Sequence, residues 1–174
     1  MLCIDVSGSM RGAPILEAVR GAREFVSEAV AARYQVGVML WNTQVVAVAE
    51  PSADGEAATR VLDQARAGGA NSLIGPLQHC HQVLDRFTGD RVVALFGDGD
   101  LSPKNLVVTK VAEMKAQNIR FVTRGLGERA AREFGEISSE EAATATVSRV
   151  EELAAGIAGM AASLKPGTGT GTQL

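Results

Sequence analysis

The stretch Leu2-Cys3-Ile4-Asp5-Val6-Ser7-Gly8-Ser9-Met10 decides how the rest of the chain is read. A short apolar run breaks at once into a turn rich in oxygen-bearing side chains. The same event recurs far downstream, where Arg91-Val92-Val93-Ala94-Leu95-Phe96 runs straight into Gly97-Asp98-Gly99-Asp100. Short apolar runs bounded by turn residues are the signature of buried strands.

Between and after these runs lie amphipathic stretches. Leu16, Val19, Ala22, Val26 and Val30 recur at helical spacing behind Pro14, which suits a first turn. Val36 to Trp41 reads as a buried strand, and Val45 to Val48 as its hairpin partner across Asn42-Thr43. Helices are expected over 56–66 and from about Gly75 to Arg86. Ser102-Pro103 reads as the cap and first turn of a helix that buries Val107, Val111 and Met114. Ile119 to Thr123 is a strand ended by Gly125 and Gly127, and Arg129 to Phe134 a short helix. Ala143 to Val147 is a last strand. Ser148 and Glu151 make a capping box for a closing helix that buries Val150, Leu153, Ile157 and Leu164.

Strands alternating with helices predict a Rossmann-like, three-layer α/β/α fold. Its central sheet is mostly parallel, with one antiparallel edge strand. Ligands bind such sheets beyond the carboxyl ends of the strands, at the topological switch point. The loops after the strands are therefore where chemistry is expected.

The chain has 174 residues, the length of one domain. We place that domain at 1–165 and read the remaining 166–174, mostly GTGTGTQL, as a flexible Gly/Thr tail. The abrupt apolar start fits either a natural first strand or a piece of a longer parent. The apolar fraction is 46% and the charged fraction 21%, as in ordinary globular proteins. A formal net charge of −3 offers no basic surface for nucleic acid. No run reaches the roughly 18 apolar residues of a membrane span. Two cysteines and the lack of a basic-then-apolar leader point to a cytoplasmic protein.

Asp5, Ser7 and Ser9 alternate, so an extended turn can point all three to one side. Asp98 follows another strand. Asn71 and Ser72 lie in the Gly68 to Leu73 loop that opens a helix. Two carboxylates, two hydroxyls and an amide at one sheet edge form a set of hard oxygen donors suited to a divalent cation. His79-Cys80-His81 invites a zinc reading, but neighbours on a helix point in different directions and no second Cys/His cluster completes four ligands. Arg124 to Glu128 has glycines without a phosphate-loop Lys-Ser/Thr. Arg11, Arg129 and Arg132 read as surface charges, with Arg11 placed to face an acidic partner.

DVSGSM, a later Gly-Gly loop and an apolar strand ending in GDG together resemble the von Willebrand factor A domain, over about residues 1–165. DxSxS is that family's metal-ion-dependent adhesion site signature. The resemblance implies a metal held by Asp5, Ser7, Ser9 and Asp98, with Mg²⁺ or Mn²⁺ and also Ca²⁺ as candidate ions. The family's middle-loop threonine is missing. Asn71 stands at its place and Ser72 is the displaced alternative; Asp100 is a candidate outer ligand. The implied function is a metal-dependent protein-interaction module, not an enzyme, that docks a Glu or Asp from another protein. Bacterial intracellular members serve MoxR-type AAA+ ATPases or conflict systems. Two alternatives stand beside this. One is a degenerate domain that binds partners without metal. The other is a haloacid-dehalogenase-type phosphohydrolase. Against the latter, Ser7 stands where a second aspartate is needed, and no lysine lies between Arg33 and Lys104.

Overall fold

The computed structural model describes residues 1–99, 101–140, 146–147 and 149–164. Its sheet is built from β1 (Leu2–Asp5), β2 (Val36–Trp41), β3 (Val45–Ser52), β4 (Arg91–Gly97), β5 (Ile119–Leu126) and β6 (Thr146–Val147). The spatial order is β3-β2-β1-β4-β5-β6, parallel except for the antiparallel β2–β3 pair at one edge. Every residue of β1 and β2 is buried, as in parallel strands covered on both faces. The edge strand β3 is mostly half-exposed. From β1 the chain moves outward to β2, then crosses back to β4 on the other side. The sheet order therefore reverses between β1 and β4, and the helices that follow these two strands, α1 (Ala13–Ala31) and α4 (Lys104–Ala116), pack on opposite faces of the sheet.

Strand parity sorts the core into two halves. Leu2, Ile4, Val38, Leu40, Ala94, Phe96 and Val122 face α1 (Ala13–Ala31), α2 (Glu56–Leu62) and α6 (Leu153–Gly159). Cys3, Met39, Trp41, Val93, Leu95 and Phe121 face α3 (Ile74–Leu84), α4 (Lys104–Ala116) and α5 (Gly127–Ile137). The fold class agrees with the expectation. At the end of the sheet away from the post-strand loops, Arg120 donates two hydrogen bonds to Asp90 at 2.7 and 2.5 Å and a third to the Ser163 carbonyl at 3.2 Å.

Several local expectations are corrected. Leu16 is 70% exposed, because α1 buries Ala18, Gly21, Ala22, Phe25, Val26 and Ala29, an arc on the opposite side of the helix. Ser102 makes no side-chain cap, and α4 starts after Pro103. The helix expected over 56–66 ends at Leu62. Gly125 does not end β5. A Cβ there would lie 2.4 Å from the backbone of Ala130, so the missing side chain lets α5 cross the strand closely. That helix spans Gly127–Ile137, longer than expected, because Ala130, Ala131, Phe134 and Ile137 all find the core. The closing helix is a short α6 between two 3₁₀ turns, Val150–Glu152 and Met160–Ser163. It buries Leu153, Ile157 and, beyond it, Leu164, whereas Val150 is only half-buried. Ser148, Asp100, residues 141–145 and the 166–174 tail lie outside the described residues.

Gly21 gives a test of the α1–α6 contact. A Gly→Ala change inside a helix ordinarily stabilises by up to about 1 kcal/mol. At Gly21 the new Cβ would sit 2.4 Å from the Ala154 carbonyl oxygen. Gly21→Ala is therefore expected to destabilise by about 1–3 kcal/mol. Gly75→Ala, with open space around its Cβ, should be neutral or stabilising. Urea unfolding midpoints of the two variants check the opposite signs.

Candidate metal centre

Asp5 closes β1 and is fully buried. Its Oδ1 accepts the Ser7 backbone N–H at 2.7 Å, which turns the chain back on itself within two residues. The turn is then zipped to two neighbours by backbone bonds. Val6 N–H donates to the Trp41 carbonyl at 2.7 Å, Gly68 N–H to the Val6 carbonyl at 2.8 Å, and Gly8 N–H to the Gly69 carbonyl at 2.9 Å. The middle loop is pinned in turn by Asn42. Its Nδ2 donates to the Gly68 carbonyl at 2.9 Å, and its own carbonyl accepts Ser72 N–H at 2.9 Å. Asn42 read only as a turn residue in the sequence. No motif spacing marks it, because its partners lie in a distant loop.

The side chains meet in a connected series. Ser7 Oγ and Ser9 Oγ are 3.1 Å apart, and Ser9 Oγ donates to Asp98 Oδ1 at 2.8 Å. Asn71 Nδ2 donates to Asp5 Oδ2 at 3.2 Å. The structure thus brings Asp5, Ser7, Ser9, Asn71 and Asp98 together. Of the two middle-loop candidates, Asn71 supplies the side-chain contact to Asp5, while Ser72 spends its backbone N–H on Asn42. Asp100 lies outside the described residues. The third loop can approach because it carries no side chain at Gly97 and Gly99. A Cβ on Gly99 would fall 2.0 Å from Asn71 Nδ2, and one on Gly97 3.1 Å from Asp5 Oδ2.

The electrostatics are those of an uncompensated anion. Burial pushes the Asp5 carboxyl up from 3.8 to about 6; the Ser7 N–H pulls it back in part, and the negative Asp98 pushes it further up. Among the described residues no Lys or Arg pairs with Asp5 or Asp98. Asn71 Oδ1 is buried without a hydrogen-bond partner. A buried acceptor left unmade costs about 1–3 kcal/mol, so something is expected to satisfy it.

These features fit a divalent cation. Two carboxylates balance its charge, and two hydroxyl oxygens and one amide oxygen add neutral donors. Among the described residues no three His, Cys, Asp or Glu side chains cluster, so the set owes its character to the serines and the asparagine. His79, Cys80 and His81 point apart. Cys80 packs on Cys3, and His81 Nε2 meets Gln117 Oε1 at 2.8 Å. Arg11 is exposed beside the first loop.

A family model described as the von Willebrand factor type A domain matches residues 1–100. No curated protein matches. Solved structures match over most of the chain. One is a von Willebrand factor type A protein from Catenulispora acidiphila (19% identity, TM-score 0.68, 92% of this chain and 41% of that one). A second is proximal thread matrix protein 1 from the mussel byssus with a zinc-occupied MIDAS motif (19%, 0.68, 88% and 44%). A third is the manganese-loaded TRAP protein of Plasmodium vivax (18%, 0.70, 99% and 74%). The chain spans less than half the length of the first two. At these identities the likeness is one of fold. Among the described residues no helix is long and apolar enough to cross a membrane.

The raised carboxyl sets a pH dependence. Asp5 holds its proton more tightly in the folded chain than in the unfolded one, so its effect on stability falls as pH rises from 3.8 through about 6. In chelator, wild type should lose about 2–3 kcal/mol relative to Asp5→Asn between pH 4 and pH 7. Urea unfolding of both proteins across that range checks it. A constant difference would show that the folded chain does not hold the Asp5 proton more tightly than the unfolded one.

Proposed function

We propose that this chain, which belongs to the von Willebrand factor type A domain family, docks an acidic side chain of a partner protein at a divalent-cation site. Domains of this family are protein-interaction modules. The cation site and its docking role are the finer reading, and one observation carries it. Asp5, Ser7, Ser9, Asn71 and Asp98 converge with two carboxylates, no pairing Lys or Arg among the described residues, and an orphaned amide oxygen.

Asp5, Asn71 and Asp98 would hold the ion together with the two serine hydroxyls. The ion supplies a positive charge that a Glu or Asp carboxylate of the partner can meet. The chain's own part is to hold the five oxygens in place through the Asx turn at Asp5 and the Asn42 bonds to the middle loop. Hard oxygen donors favour Mg²⁺, with Mn²⁺ and Ca²⁺ as alternatives. The mussel protein with zinc and the Plasmodium protein with manganese, similar in fold, support a divalent ion here as well. We place the domain at 1–165 in a bacterial cytoplasmic assembly, with a MoxR-type AAA+ ATPase or a conflict-system component as partner.

A second reading has its own support. Asn71 Nδ2 already occupies Asp5 Oδ2, and an asparagine stands where the family carries a threonine. A domain that docks partners without metal would use that bond as a substitute.

Thermal unfolding in chelator, then in excess Mg²⁺, Mn²⁺ or Ca²⁺, separates the two. An ion at 100 times its dissociation constant adds about 2.7 kcal/mol. We expect such a gain in wild type and in Ser72→Ala, and its loss in Asp98→Ala and Asn71→Ala, all four folding without the ion. An Asp98→Ala protein that keeps the gain would overturn the proposed site. A wild type indifferent to every ion would favour the metal-free reading.

A further inference from the structure

The chain's two cysteines touch. Cys3 lies in β1 and Cys80 in α3, 77 residues apart in sequence, with their sulfurs 3.3 Å apart. Both are free and buried in the half of the core formed with Met1, Met39, Leu77 and Val83. Nothing in the cation-site reading uses them.

We propose that this pair is an oxidation site, closed by hydrogen peroxide into an intramolecular disulfide that staples β1 to α3. One sulfur attacks a peroxide oxygen, the O–O bond breaks, and water leaves; that sulfur is now a sulfenic acid. The second thiol attacks the sulfenic sulfur, the S–S bond forms, the S–O bond breaks, and a second water leaves. Two thiols and one hydrogen peroxide become one disulfide and two waters, a two-electron oxidation of sulfur matched by a two-electron reduction of peroxide.

The geometry favours this outcome over the other fates of a thiol. A disulfide sulfur–sulfur bond is about 2.05 Å, so the pair must close by only about 1.2 Å. The resolving thiol is already in contact, and burial of both sulfurs limits access by further oxidant. Burial also makes the first step slow, since peroxide must enter through a local opening. Closing a long loop restricts the unfolded chain, so the staple should raise stability. It joins the strand that ends in Asp5 to the helix that begins shortly after Asn71, the two residues in contact at 3.2 Å.

The test treats the full chain with hydrogen peroxide in chelator, so that it reads nothing of the cation. Expected are an intact mass lower by two hydrogens, a Cys3 peptide linked to a Cys80 peptide, and an unfolding midpoint higher by about 5–15 °C that dithiothreitol reverses. Cys80→Ser should show none of these. Peptide mapping of the wild type decides the matter even if that variant fails to fold. Two thiols that remain free after prolonged treatment, cysteines carried on to sulfinic acid, or a bridge between chains instead of within one would each overturn the proposal.

Discussion

A carboxylate buried with no Lys or Arg partner among the described residues is the constraint on which the loop end of this molecule depends. Asp5 sits fully buried at the end of a central strand, and a second carboxylate, Asp98, reaches toward it through Ser9. The opposite end of the sheet shows the usual solution to the same problem. There Asp90 is met by the Arg120 guanidinium through two hydrogen bonds. No comparable partner meets Asp5 among the described residues. The chain answers instead with neutral donors, the Ser7 N–H and the Asn71 amide, and Asp5 is harder to ionise than an ordinary carboxyl.

The surrounding architecture follows from keeping that group in place. The sheet order reverses between β1 and β4, so the helices after them leave to opposite faces while the first loop residues stay together at the strand ends. Backbone bonds then lash the first loop to β2 and to the middle loop, with Asn42 as the pin. Gly97 and Gly99 let the third loop come within contact of Asp5 and Asn71. The remainder of the fold is ordinary packing, with two apolar layers sorted by strand parity and small residues where helices cross closely.

Much of this was legible from the chain itself, and the limits have physical reasons. Buried strands announce themselves as unbroken apolar runs, so β1, β2, β4 and the antiparallel partner of β2 were readable. The alternation of Asp5, Ser7 and Ser9 after one strand, and Asp98 after another, points to a shared edge from the sequence alone. Asn42 was not readable, because its role depends on a loop some thirty residues away. Gly125 misled, since a glycine that makes room for a crossing helix looks like one that ends a strand. Leu16 misled likewise: its spacing fitted the apolar stripe of α1, but the core engages the other side of the helix. That the Asn71 side chain reaches Asp5 could not be read from spacing, because neighbouring residues in a loop diverge in ways that spacing does not encode.

The central claim is that the buried anion at the end of β1 is matched by a divalent cation. Electron paramagnetic resonance of added Mn²⁺ addresses this directly, since the signal of the free aqueous ion disappears on binding. The account predicts that wild type takes up one Mn²⁺ per chain, that Mg²⁺ displaces it, and that Asp5→Asn leaves the free signal intact. A wild type that leaves the free signal unchanged, or an Asp5→Asn protein that removes it equally well, would contradict the account.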